Sequence, residues 1–212
     1  MSKLIEVANP IDLRNITDAQ QWAAEANLKR PSRTQFFQFY ADQLVQPTTT
    51  NYRVLEIASG PGFVAEALLQ RHPQLDYTAL DFSEAMHNLA KQRLSHFDIS
   101  QIQFILADFK HTEWYKTLAT QKFDVVIIHQ ALHELRHKYY ATDFHRIIFE
   151  HLLKDQACYA VCDHLAQPDG TMQNTELYMT QAEHLAAFSQ AGFQHISQTL
   201  CLEGLQLFLA KH

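Results

Sequence analysis

The stretch Tyr52–Gly62, YRVLEIASGPG, constrains the fold of this chain more than any other. Val54, Leu55 and Ile57 form a short apolar run with the β-branched character of a buried strand. The chain then turns through Ser59, Gly60, Pro61 and Gly62, and a run of helix formers follows, VAEALLQRH. Further on comes a second strand, LDYTALDF, with Asp81 near its end. Glycines let a backbone pass close to a ligand. An acid ending the next strand can accept hydrogen bonds from ribose hydroxyls. Together these features are the layout of a nucleoside-cofactor site in a doubly wound sheet.

Two residues bear on the kind of cofactor. Glu56 sits at the end of the first strand, where a carboxylate can accept from an ammonium group. Pro61 lacks the turn N–H that a pyrophosphate would use. A cofactor with an amino-acid end and no phosphate, such as S-adenosylmethionine, fits better than NAD. An NAD-dependent oxidoreductase is the less favoured alternative.

On these residues the chain resembles the class I S-adenosylmethionine-dependent methyltransferases of small-molecule type. Their first motif is an acid followed by glycines at alternate positions, matched by Glu56-Ile57-Ala58-Ser59-Gly60-Pro61-Gly62 with Ala58 in place of the first glycine. Asp81 matches the acid of the second strand, Asp108-Phe109 the pair after the third, and FDVVIIHQALHEL the fourth motif. The resemblance implies an α/β fold: a doubly wound, seven-stranded, mostly parallel sheet closed by a C-terminal antiparallel hairpin. It implies a helical cap or lid over residues 1–46 and a cofactor domain over 47–212. It also implies a cofactor set of Glu56, Ala58, Ser59, Gly60, Gly62, Asp81, Phe82, Met86, Asp108, Phe109 and His129. Asp81 would hold the ribose, and Asp108 and Phe109 the adenine.

A formal net charge of −6 argues against a nucleic-acid substrate, which usually meets a basic footprint. The string HQAL after the fourth strand differs from the Asn/Asp-Pro-Pro-aromatic stretch of the adenine- and amide-modifying members. A protein or nucleic-acid methyltransferase, or a non-catalytic cofactor-binding protein, remain as alternatives to a small-molecule O- or N-methyltransferase. No apolar run is long enough for a membrane span, and the first residues lack the apolar core of a secretory signal. Cys158, Cys162 and Cys201 do not make a disulfide framework, so a cytoplasmic setting is expected. A homodimer is left open.

Ahead of the first strand, residues 1–9 read as a loose or capping arm. Thr17 and Gln20 form a capping pattern for a helix that ends before Pro31. A second helix, from Arg33 to Val45, carries Phe36, Phe37, Phe39 and Tyr40, either as a packed face or as a lid. Ser83 is expected to cap EAMHNLAKQRL, and Thr180 with Glu183 to box the start of QAEHLAAFSQA, which Gly192 ends.

The fourth strand ends at His129, and the segment after it holds His133, Glu134, Arg136, His137 and Lys138. Three roles compete for this cluster. His129 or His133 can be a general base, since imidazole titrates near neutrality. Two or three of the groups can bind a metal, although no H-E-x-x-H is present and no metal is assigned. Or the residues are pocket wall and surface, with the Arg136-His137-Lys138 tail facing solvent or capping a helix. The fifth strand, QACYAVCDH, brings Asp163 and His164 to the same sheet edge, so His129, His133 and His164 are the catalytic candidates. The loop from Leu165 to Tyr178 is expected to lie over the site, with Tyr178 and Met179 near the acceptor.

Overall fold

The computed structural model describes residues 5–47, 51–118, 120–167 and 172–212. Residues 1–4, 48–50, 119 and 168–171, the last within the loop expected over the site, lie outside them. Seven strands form one sheet in the order β3-β2-β1-β4-β5-β7-β6. They are β1 (Arg53–Ile57), β2 (Asp76–Asp81), β3 (Ile102–Leu106), β4 (Phe123–His129), β5 (Leu153–His164), β6 (His195–Leu202) and β7 (Leu205–Lys211). The first five pair in parallel; β7 runs antiparallel to both β5 and β6. The expected sheet and its hairpin ending at Glu203-Gly204 are therefore present.

The strand order reverses between β1 and β4, which pair directly. Such a switch point opens a crevice beyond the carboxyl ends of the strands, because successive crossovers leave toward opposite faces. β4 is apolar from Val125 to Ile128 because both its faces are covered there. Val126 and Ile128 pack toward α5 (Ala141–Ile147) and α6 (Gln181–Ala191), among Phe144, Ile148 and Phe188. Val125 and Ile127 face the opposite layer, with Leu68 and Leu69 of α3 (Phe63–Arg71) and Phe36, Phe37 and Tyr40.

Those aromatics lie on α2 (Arg33–Phe39), which continues through a wide turn of π geometry over Tyr40–Leu44. They share one core with β1 and α3, so the N-terminal helices are cemented to the sheet. The first helix, α1 (Ile16–Lys29), starts two residues earlier than its capping pattern suggested. Asn15, not Thr17, is the cap: its side-chain oxygen accepts from Thr17 N (2.9 Å) and Asp18 N (3.3 Å). Its short carboxamide reaches both orphan amides, which leaves Thr17 inside the first turn. Ser83 caps α4 (Glu84–Arg93), Thr180 and Glu183 form the full capping box of α6, and Gly192 ends it at φ +111°.

Candidate active site

The turn after β1 is left-handed at alternate residues: Ala58 (φ 57°), Gly60 (54°) and Gly62 (81°). The two glycines serve different ends. A Cβ on Gly60 would meet nothing within 4 Å, so its bare backbone faces open space. A Cβ on Gly62 would stand 3.2 Å from that of Ala90, so this glycine lets α3 and α4 approach. Gly62, expected at the cofactor, is thus a packing residue and does not line the cavity.

Asp81 ties the turn to β2. Its Oδ2 accepts from Gly60 N (2.8 Å) and its Oδ1 from Ser83 N (2.9 Å), while Ser59 N donates to the Leu80 carbonyl (3.0 Å). Burial pushes the Asp81 carboxyl up to about 6, tempered by those two amides. Each oxygen keeps a lone pair for a further donor. Glu56 is buried with Tyr77 Oη donating to it, and burial lifts its carboxyl to about 8.

These residues line a cavity of about 650 Å³ at the switch point, the size of a small-ligand site. Ala58, Ser59, Gly60, Phe82, Met86, Asp108, Phe109 and His129 line it too. Among buried polar side-chain atoms without a hydrogen-bond partner are Arg33 Nε, Ser59 Oγ, His129 Nε2 and Gln130 Oε1, all on residues of this one cavity. Unpartnered buried groups are costly, so their gathering marks a place where a polar ligand completes the bonds. An amino-acid end suits this set, with a carboxylate and a cation already facing one space.

The residues from 48 to 203 match the family model described as a methyltransferase domain. The chain belongs to that family.

S-adenosylmethionine is the cofactor of this methyltransferase domain. Among curated relatives, a malonyl-[acyl-carrier protein] O-methyltransferase of Paenibacillus sp. (strain JDR-2) is 26% identical over 123 residues, covering 58% of this chain and 44% of that protein. A demethylmenaquinone methyltransferase of Chlamydia pneumoniae is 37% identical over 71 residues, 30% of this chain and 31% of that one. The chain therefore spans less than half the length of these two relatives. Human N-acetylserotonin methyltransferase, solved with S-adenosylmethionine, superposes with a TM-score of 0.68 at 18% identity, over 94% of this chain and 57% of that one. Streptomyces venezuelae DesVI gives 0.64 at 17% identity, over 89% and 97%. At such identities the likeness is one of fold.

The methyltransferase cavity contains two of the three histidines expected to be catalytic. His129, at the end of β4, is wedged among Phe36, Phe37 and Tyr40, and its Nδ1 lies 3.0 Å from Tyr40 Oη. Burial and the nearby Arg33 hold it well below the usual histidine range, so it stays neutral. His133 sits on a single 3₁₀ turn, Leu132–Leu135. Asp163 holds it twice, with Oδ2 accepting from His133 N (2.8 Å) and Oδ1 lying 2.7 Å from Nδ1. Burial alone would lower this imidazole, but the Asp163 charge and hydrogen bond outweigh it and the net shift is upward. Asp163, in turn, is held well below the usual carboxylate range by His133 despite its burial.

His164 does not line the cavity. Its ring turns toward Gln130, whose Nε2 is 3.3 Å away, and toward Tyr178, and burial lowers it to about 4. Its neighbour Asp163 is also absent from the cavity wall; together with Tyr178 the two border a small space behind His133. Tyr178 packs on His133 and His164, and Met179 is in the core, so neither borders the cavity. Of the loop after β5, Leu177 and Tyr178 stand behind the histidines, and its residues 168–171 lie outside the described ones. Of the Arg136-His137-Lys138 tail, expected to face solvent or cap a helix, Arg136 and His137 are buried, and His137 caps the short turn Lys138–Tyr140. Arg136 holds the N-terminal segment, and His137 accepts from Tyr139 N (3.1 Å) and pairs with Glu176 (2.6 Å).

Two contributors lie beyond the site residues expected from the sequence. Arg33 is 5% exposed, its guanidinium 5.3–5.4 Å from the rings of Trp22, Phe37 and Phe63. Burial lowers it to about 10, with Glu56 opposing the shift. The signal was a charge in an aromatic stripe: Arg33, Phe36, Phe37 and Tyr40 follow i, i+3, i+4, i+7 spacing. The other is the segment Glu6–Arg14, which forms one wall of the cavity. Its composition does not announce a wall, because the carbonyls of Val7, Ala8 and Leu13 that help fasten it are common to every residue type.

Proposed function

We propose that this protein transfers a methyl group from S-adenosylmethionine to an O or N atom of a small organic metabolite. The observation that carries this is His133, clamped by Asp163 through one ring nitrogen at the rim of a methyltransferase cavity that the other nitrogen can serve. When bound, the cofactor supplies a methyl group activated on positive sulfur.

The chain's residues then have these roles. Glu56 takes the ammonium of the methionine end and Arg33 its carboxylate, one charge for each. Asp81 takes the ribose hydroxyls, and Gly60 and Ser59 give backbone room. Phe82 and Met86 cover the adenine faces, and Asp108 with Phe109 its edge. His129 stays a neutral hydrogen-bonding wall, fixed by Tyr40. His133 accepts the acceptor's proton at Nε2, and Asp163 stabilises the resulting imidazolium and fixes its orientation.

Residues 1–46 act as the cap of a 47–212 cofactor domain. A wall built from the chain's own N-terminal segment favours a small acceptor over a macromolecule. Among the described residues no helix is long and apolar enough to cross a membrane, and Cys158, Cys162 and Cys201 are free thiols. A reducing cytoplasm suits them.

The test has two arms. Calorimetric titration should show binding of S-adenosylmethionine and none of NAD. Incubation with methyl-tritiated S-adenosylmethionine and a small-molecule extract should move label into organic products, and His133→Asn should abolish that transfer while sparing cofactor binding. Label found only in protein or nucleic acid would overturn the small-acceptor assignment.

A further inference from the structure

The segment Glu6–Arg14 crosses the cavity as a strap fastened at both ends. Beside Phe82, Ser83 Oγ donates to the Leu13 carbonyl (2.5 Å) and Arg14 lies 3.6 Å from Asp108. Beside His133 the fastener is Arg136. Val7 N donates to its carbonyl (2.9 Å), its Nε donates to the Val7 carbonyl (2.9 Å), and a terminal nitrogen donates to the Ala8 carbonyl (2.6 Å). Arg136 has φ +64° and Gln130 φ +53°. A left-handed conformation is unfavourable for a residue that carries a Cβ. The backbone on either side of His133 is thus held in a shape that only its surroundings sustain.

Glu134 stands where the strap meets the histidine. Its Oε2 accepts from Asn9 Nδ2 (3.1 Å) and from Arg136 (3.2 Å). Its Oε1 lies 3.5 Å from His133 Nε2, too far for a good hydrogen bond but close for a charge contact. Nε2 is the nitrogen that remains once Asp163 has taken Nδ1.

We propose that Glu134 is a positioning residue that couples closure of the N-terminal strap to the basicity of His133. The proposal rests on the base role given to His133 above. With Asn9 and Arg136 holding Oε2, Oε1 faces Nε2, and its charge favours the imidazolium formed when an acceptor O–H or N–H yields its proton. That proton leaves Nε2 for water when the strap opens. With the strap away, the Glu134 carboxylate loses Asn9 and turns toward solvent, and His133 keeps Asp163 alone. The base therefore reaches full strength only over a covered site.

The charged and titratable groups facing His133 are Asp163 and His164 from β5, Tyr178 from the loop behind, and Glu134 and Arg136 on its own turn. Asp163 raises its affinity for a proton and Arg136 opposes it. Glu134 is the carboxylate among them that the strap holds.

The experiment is a ¹⁵N NMR titration of His133 in the full chain saturated with S-adenosylhomocysteine. Glu134→Gln should lower the His133 pKa by about one unit. Asn9→Ala should lower it in the same direction by less, and the double variant should match Glu134→Gln alone. A His133 titration unmoved by Glu134→Gln overturns the proposal, as does an Asn9→Ala effect that persists undiminished beside Glu134→Gln. Asn9→Ala changes the strap alone and still decides the matter if Glu134→Gln does not fold. A His133→Asn protein that moves labelled methyl groups as well as the parent sinks the base role itself. That failure is distinguishable because it leaves the titrations of the other variants as they are.

Discussion

Asp163 grips His133 by both backbone and ring, at 2.8 Å to the amide and 2.7 Å to Nδ1. One buried carboxylate thereby fixes the place, the tautomer and the charge preference of an imidazole on a turn too short to fix them itself.

Asp163→Asn should cut methyl transfer at least a hundredfold, the usual scale for losing general base catalysis, and leave S-adenosylmethionine affinity within about twofold of the parent. It should also cost about 2–3 kcal/mol of stability, since a charge-assisted hydrogen bond is lost in the interior. The Asp163 contribution is present above its unfolded value and is lost in strong acid as pH falls through its depressed folded value. The His133 contribution is full below its unfolded value and is lost as pH rises through its raised folded value. The difference between parent and variant in denaturant midpoint should therefore be largest between about pH 4 and 6.5. A flat difference across pH would refute the pairing.

Arg33→Met should weaken S-adenosylhomocysteine at least tenfold, the scale of one charge-assisted bond, yet leave 5′-methylthioadenosine, which lacks the amino-acid end, untouched. Asp81→Ala should weaken both ligands, because both carry the ribose. Calorimetry on the two ligands separates the cases. Equal losses for both ligands in Arg33→Met would move the guanidinium away from the methionine carboxylate.

Cofactor binding should release protons near neutrality. Burial holds Glu56 up at about 8 and Asp81 at about 6 in the free protein. An ammonium group placed beside Glu56 favours its ionised form, so affinity should rise as pH climbs from about 6 to 8. Free-protein stability should fall over the range in which Glu56 is protonated when folded and ionised when unfolded, and ligand should restore it. Titrations in buffers of different ionisation enthalpy count the protons; none released at pH 7 would contradict the assignment.

His184→Leu should stabilise the protein, and more at pH 5 than at pH 8. Both ring nitrogens of His184 are buried without partners, and its ring stacks on Phe208. Burial lowers it to about 4, and His145, bonded to Tyr159, is held lower than usual by the same cause. A histidine neutral in the core loses native stability as pH falls below its unfolded value near 6.5. Thermal melts at the two pH values check this; a lower melting temperature for the variant at pH 5 would refute it.

The local and periodic features were legible in the chain itself. The apolar run of β4, the turn after Glu56, the acid ending β2, the Ser83 and Thr180 caps and the hairpin at Glu203-Gly204 depend on neighbours a few residues away. Short-range sterics and hydrogen bonding settle such features before any tertiary contact forms. Only the folded chain decided which of the clustered side chains meet. Arg33 reaches the cavity from a helix that precedes the cofactor turn. Gly62 faces Ala90 of α4. Asp163 holds His133, while His164, adjacent in sequence, turns to Gln130. The strap closes on His133 through Arg136, across 129 positions of chain. Pairings at that separation follow from how whole elements pack around one sheet, and no stretch of residues carries them alone.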